Sequence, residues 1–449
     1  MPTAPDVDRL RDRVHGGMPR VRSELESLVR IPSVSHPGHD PAQLRRSADE
    51  TSRILRDAGL QTRLLEVEDA PPAVLGRLPG PAGAPTVLLY AHHDVQPTGP
   101  RELWHSEPFE PLERDGRLYG RGSSDDKCGV VIHAGAVRAW GGRPPVGATV
   151  FVEGEEEWGS PHLGAFLDRY GDLLRADAVI LADSGNWRLG QPALTISLRG
   201  IVACDIEVRT LDHAVHSGEY GGPVPDAITV LARTLAKLHD EKGNVAVPNL
   251  ASGPAEALDL TEDELRRWVG MRHSVRLIGE GGLTERLWTK AAVDVLGIDA
   301  PRLSESTNQL VPSARARVSL RIAPGQDPEA AMSALVEHLR ASVPWGAEVT
   351  VTPRNSGRPY RVSATGPAHE AMRRAMRDAW GRPPVDMGAG GSIPFVFEFA
   401  RAFPEAALLL TGAADATSNA HSEDESVDLG EVERTCLAES LFFGYLARG

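Results

Sequence analysis

The chain has 449 residues, 41% of them hydrophobic and 24% charged, with a formal net charge of −14. That length exceeds what one hydrophobic core usually organises, so two domains are expected. The acidic balance argues against nucleic acid or an anionic membrane as partner, because both select a basic surface.

Cys128, Cys204 and Cys436 form an odd, scattered set with no C-x-x-C pair, which suits a reducing compartment rather than a disulfide framework. Residues 1–14 alternate charge and polarity without the apolar centre of a signal peptide. No apolar run reaches the length of a membrane span. The expected location is cytoplasmic.

Taken in chain order, the first clear element is a helical stripe of Leu44, Ala48, Ile54, Leu55 and Ala58. Apolar runs without polar alternation follow at Thr86–Tyr90, Ala148–Val152 and Ala178–Leu181. Such runs suit strands covered by helices on both faces. From Ile201 to Thr352 the pattern changes to strict alternation. Cys204, Ile206 and Val208 alternate with Asp205, Glu207 and Arg209, and Ala316, Val318, Leu320 and Ile322 with Arg315, Arg317, Ser319 and Arg321. Glu348–Thr352 repeats it, as expected of an antiparallel sheet with one wet face.

Two amphipathic helices accompany that sheet. One carries Ile228, Leu231, Leu235 and Leu238; the other starts at Asp327-Pro328 and carries Ala331, Leu335 and Leu339. Residues 241–301 have mixed signals and read only as an insertion. A last helix, with Ala368, Met372, Ala375, Met376 and Ala379, and a last apolar run, Ala406–Leu410, return to the first pattern. The expectation is an α/β domain with a mostly parallel sheet, formed by residues 1–199 and 357–449. A two-layer α+β domain, residues 200–356, is inserted between them.

Each buried run ends in residues able to bind metal. Tyr90 precedes His92-His93-Asp94, Val152 precedes Glu153 and Glu155-Glu156-Glu157, Leu181 precedes Asp183, and Leu410 precedes a loop reaching His421. A further acidic pair, Asp125-Asp126, follows the turn-rich Gly120–Ser124. Ligand sites of open α/β sheets form at the carboxyl ends of strands. Imidazoles and carboxylates converging there suit Zn²⁺, Mn²⁺ or Co²⁺, and such a density of carboxylates needs cations to offset its repulsion. Taken singly, each piece has a plain structural explanation: a surface pair, a solvated acidic loop, a helix N-cap. Their recurrence at successive strand ends favours a metal site. No G-x-S-x-G, H-E-x-x-H or Walker A signature competes with it.

The segments His92–Pro97, Trp104–Pro111, Gly120–Lys127, Glu153–Ser160, His216–Gly218, Gly390–Pro394 and Ala420–Ser422 resemble the M20 metallopeptidase family, in its dipeptidase branch with the carnosine dipeptidases. They run in family order from about Leu28 to the C-terminus. The resemblance implies a zinc-peptidase-like catalytic domain with an inserted lid and dimerisation domain, two divalent metal ions with zinc first among the candidates, and a homodimer. By position, Asp125 resembles the carboxylate bridging both metals, with His92 and Asp183 completing one site and Glu157 and His421 the other. Asp94 resembles the residue orienting His92. Glu156 resembles the general base that takes a proton from a metal-bridging water and returns it to the leaving amine. His93 reads as structural, and Glu155 as solvated or capping.

His216 resembles the histidine that reaches the partner subunit's site and stabilises the oxyanion; read alone, it is a loop histidine. Arg321 matches the arginine that holds the substrate carboxylate, although Arg315 and Arg317 share its face. Asn308, Gly391 and Ser392 match further substrate contacts. Two positions depart from the family pattern. Gly388-Ala389 stand where a polar residue is common, which implies a roomier or less charged subsite. Cys128 stands where a small residue is usual, near enough to Asp125 to raise the question of oxidation. The expected activity is hydrolysis of the amide bond of a dipeptide or similar small peptide. The alternative is an N-acyl amino acid amidohydrolase or carboxypeptidase with the same machinery.

Overall fold

Along the strand Thr86–His92, Val87, Leu89 and Ala91 pack into one apolar cluster while Tyr90 stacks in a different, aromatic one. That two-sided burial is why the run shows no polar alternation. A computed structural model describes residues 5–391 and 394–448, and the chain divides into two compact units. The first comprises residues 1–196, 362–387 and 394–449, and the second 197–361 and 388–393.

In the first unit the sheet runs, in spatial order, Gln61–Leu65, Ala73–Leu78, Gly147–Glu153, Thr86–His92, Ala178–Leu181, Ala407–Leu410 and Ala193–Leu198. Its four central strands, from Gly147–Glu153 to Ala407–Leu410, are parallel, and the flanking pairs are antiparallel. The larger core cluster joins one sheet face to the helices Val7–Val29, Pro41–Asp57, Lys127–Ala139, Pro367–Trp380 and Leu429–Leu446. On the other face Tyr90 and Phe151 meet Phe166 of Leu163–Leu174 and Phe395 and Phe399 of Pro394–Ala402. The Tyr90 and Phe399 rings meet edge to face with centroids 5.3 Å apart, an arrangement that adds about 0.5–1.5 kcal/mol beyond area burial. Parallel strands place their carboxyl ends on one edge.

The second unit is a four-stranded antiparallel sheet in the order Ala292–Asp299, Ser313–Ile322, Gly200–Arg209, Glu348–Gly357. The helices Ala227–Ala236 and Pro328–Ser342 cover its dry face, where Cys204, Ile206, Val208, Val318 and Leu320 are buried. Asp205, on the wet face, pairs with Arg317 at 2.7 Å and Arg354 at 2.5 Å. Two expectations need correction. Ile228 is exposed, whereas Leu231 and Leu238 are buried and Leu235 packs beside them as expected; Ala227 and Val230 complete the covered face, and Ile228 falls outside it. Residues 241–301 are not merely an insertion, since their last part, Ala292–Asp299, is an edge strand of the sheet. Its exposed Leu296 and Ile298 had hidden the alternation.

Candidate metal centre

Strand register assembles the centre. His92 ends its strand in register with Glu153, from which the chain enters the short turn Glu156–Trp158. Leu181 is in register with Tyr90 on one side and Leu410 on the other, so Asp183 emerges between them. His421 sits in the loop after Leu410 with φ +64°, a conformation costly to a residue with a side chain and held by its surroundings. Asp125 precedes the helix Lys127–Ala139, and its peptide bond to Asp126 is cis.

Two groups of candidate ligands result, His92 with Asp125 and Asp183, and Asp125 with Glu157 and His421; within each, the donor atoms lie within 4.8 Å of one another. Asp125 belongs to both. Its Oδ1 is 2.9 Å from His92 Nε2, and its Oδ2 is 3.0 Å from His421 Nε2. His421 Nε2 is also 3.1 Å from Glu157 Oε2. Glu156 is in neither group, with Oε2 at 4.0 Å from His92 Nε2.

The buried carboxylates of the cluster repel one another. Burial pushes Glu156, Glu157 and Asp183 up, and repulsion from Asp125 and from one another adds to it. Burial alone would lower His92, but Asp125 and Asp94 hold it well above its usual value. His421 is raised to about 11 by its bonds to Asp125 and Glu157. Protons are therefore drawn to the places where a divalent cation would satisfy the same oxygens. Imidazole and carboxylate donors in two groups sharing one carboxylate fit two ions of the Zn²⁺, Mn²⁺ or Co²⁺ kind.

Several neighbours hold these groups in place. His92 Nδ1 lies 3.1 Å from the Asp94 carbonyl oxygen and 3.4 Å from its Oδ1. The Asp94 oxygens accept the backbone N–H groups of Glu156 and Glu157. Gln96 Nε2 donates to Glu157 Oε2 at 2.8 Å, a contact that sequence reasoning missed, since nothing about a lone Gln in a motif tells what it faces. Glu425, fully buried and bonded to the Gly122–Asp125 backbone, was missed for the same reason. His93 is buried and kept neutral, pushed down to about 4 by burial, with Nε2 3.0 Å from the Pro72 carbonyl oxygen. Glu155 is not solvated. It is buried, and its carboxylate accepts from His162 N at 3.0 Å. Cys128 is buried too, with its thiol pushed well above the usual range.

The other expected residues lie in the second unit. His216 ends the two-residue strand Val215–His216, which pairs with Gln309–Leu310, and its Nδ1 accepts from Gly218 N at 3.1 Å. Ser217 N donates to the Asn308 carbonyl at 3.0 Å, so His216 and Asn308 share one ribbon. Arg321 is half-buried, and burial lowers its pKa against the pull of Asp294. Arg315 and Arg317 pair with Asp299 and Asp205. Gly391 is exposed, while Ser392 lies outside the described residues. A Cβ on Gly388 would come within 2.6 Å of Trp288, so glycine at that position opens no extra room; Trp288 already fills it.

Residues 88–439 match the family described as peptidase family M20/M25/M40. The cysteinylglycine-S-conjugate dipeptidase of Corynebacterium striatum is 34% identical over 94% of this chain and 94% of its own. The beta-Ala-His dipeptidase of Rattus norvegicus is 28% identical, covering 80% of this chain and 76% of its own. Among solved structures, the dipeptidase Dug1p of Saccharomyces cerevisiae superposes with a TM-score of 0.85 at 22% identity, covering all of both chains.

Proposed function

The chain belongs to peptidase family M20/M25/M40, and from that premise we propose that it is a two-metal dipeptidase acting on dipeptides or similarly small peptides. The observation that carries this reading is Asp125, which turns one carboxylate oxygen to His92 and the other to His421. A single carboxylate serving two ligand groups is the arrangement that would suit two ions held side by side. His92, Asp125 and Asp183 would hold one ion, and Asp125, Glu157 and His421 the other. When bound, such ions polarise the scissile carbonyl and lower the pKa of the attacking water.

Glu156 is the general base. Its carboxyl is raised by burial and by Glu157 and Asp125, which suits a group that takes a proton and then gives it to the leaving amine. Asp94 holds the backbone from which Glu156 projects. Arg321 binds the substrate carboxylate, with Asn308, Gly391 and Ser392 as further contacts. His216, exposed on its ribbon, stabilises the oxyanion in the partner subunit of a homodimer through the second unit acting as lid and dimerisation domain. Zinc is the proposed native metal and the cytoplasm the proposed location. Among the described residues no helix is long and apolar enough to cross a membrane.

The test is a screen of the metal-reconstituted protein against a dipeptide library and a panel of N-acyl amino acids. Release of amino acids from dipeptides is expected, and loss of about 10²–10⁴-fold in kcat in Glu156→Gln with both metals retained. Turnover confined to N-acyl amino acids would move the protein to the aminoacylase reading.

A further inference from the structure

Glu425 lies four residues beyond His421 and is completely buried. Its Oε1 accepts from Ser124 N at 2.9 Å, Ser124 Oγ at 3.0 Å and Asp125 N at 3.1 Å. Its Oε2 accepts from Arg121 Nη1 at 2.7 Å and Gly122 N at 2.9 Å. The Glu425 carbonyl receives Gly120 N at 2.9 Å, and the next residues, Ser426–Asp428, pair with Arg117–Tyr119. One side chain therefore follows the chain from Arg121 to Asp125 at almost every step.

Arg121 extends the connection. It is buried, and its Nη2 donates to the Pro97 carbonyl at 3.2 Å, at the end of the segment that begins with His92. Glu425 and Arg121 thus tie together the three loops bearing His92, Asp125 and His421. A buried carboxylate is tolerated only with its charge balanced and its lone pairs filled, and this one has both. The same requirement makes it demanding. A change in its position moves the peptide N–H of Asp125, and with it the carboxylate shared between the two ligand groups.

We propose that Glu425 is a positioning residue for the metal pair: by fixing the Gly122–Asp125 main chain it sets Asp125 to face His92 with one oxygen and His421 with the other. This rests on the two-metal reading above. Glutamine at 425 would have one acceptor oxygen, and its NH₂ would confront N–H donors on one side of the cradle. Aspartate keeps two acceptor oxygens but is one methylene shorter.

The experiment uses the full chain as wild type, Glu425→Gln, Glu425→Asp and Ser124→Ala, stripped of metal and titrated with Mn²⁺. Bound Mn²⁺ per chain is measured by equilibrium dialysis, spin coupling by electron paramagnetic resonance, and folding by circular dichroism and thermal melting. Wild type is expected to bind two Mn²⁺ with a coupled signal. Glu425→Gln is expected to stay folded, bind the second Mn²⁺ about 10- to 100-fold more weakly and show an uncoupled signal. Glu425→Asp should recover part of the coupling. A folded Glu425→Gln with two Mn²⁺ at wild-type affinity and unchanged coupling overturns the inference. If Glu425→Gln does not fold, Ser124→Ala decides, because it removes only the hydroxyl donor. About tenfold weaker binding is expected there, and unchanged affinity and coupling overturn the inference. Wild type binding fewer than two Mn²⁺ would instead defeat the two-metal reading, and the proposal with it.

Discussion

The two carboxylate oxygens of Asp94 accept the backbone N–H groups of Glu156 and Glu157, at 3.1 and 3.0 Å. The same residue faces His92 Nδ1 through its carbonyl at 3.1 Å. One buried aspartate therefore holds the main chain under the proposed base and one proposed ligand, and touches another. Asparagine at this position keeps the shape but turns an NH₂ toward one of the two backbone donors. Asp94→Asn is expected to lower kcat about 10- to 100-fold, with a smaller effect on KM. Steady-state kinetics with metal analysis would check this, and wild-type kcat in a fully loaded variant would refute it.

Gly412 lies where the chain after Leu410 passes the backbone that carries Asp183. A Cβ there would overlap the Ser184 carbonyl oxygen and come within 2.6 Å of the Ala182 carbonyl oxygen. Backbone cannot swing aside as a flexible side chain can. Gly412→Ala is expected to cost about 1–3 kcal/mol of stability and to weaken metal binding by displacing Asp183. Denaturant melts and metal titration measure both, and an unchanged midpoint would show that the two segments are not so close.

Burial pushes Glu153 up to about 8, against the hydrogen bond from Tyr90 at 2.8 Å. In the unfolded chain the same group titrates near 4.5. Between those values the folded state keeps a proton that the unfolded chain releases. The contribution to stability is thus complete below about pH 4.5 and is lost as pH rises through about 8. Glu153→Gln is neutral throughout. Wild type should therefore lose stability relative to this variant as denaturant melts move from pH 5 to pH 8 (a window of about these limits). Parallel stability curves would mean that Glu153 is ionised in the fold.

Cys128, Cys204 and Cys436 are free and buried, and burial raises all three thiols, Cys204 to about 11. The thiolate is the reactive form, so proximity to Asp125 does not make Cys128 a redox-sensitive group. The native protein should resist iodoacetamide until denatured, as mass spectrometry would show. Rapid labelling of Cys128 in the folded protein would contradict its burial.

The amino-acid order alone determined where the buried strands lie and that each runs into ionisable residues. A strand covered on both faces must be apolar throughout, and a wet-faced strand must alternate, so each leaves its period in the sequence. The N-cap Asp327 with Pro328 was equally legible, because capping is local. Residues 241–301 gave no such signal, since the edge strand Ala292–Asp299 exposes apolar side chains and its partner, Ser313–Ile322, comes later in the chain. Nor could the sequence show that Glu425 cradles Asp125 from 300 residues away, that Gln96 meets Glu157, or that Trp288 fills the space beside Gly388. Those contacts depend on strand register and loop closure across distant segments. Periodicity records which face of an element is covered, but only the folded chain decides which polar atoms meet there.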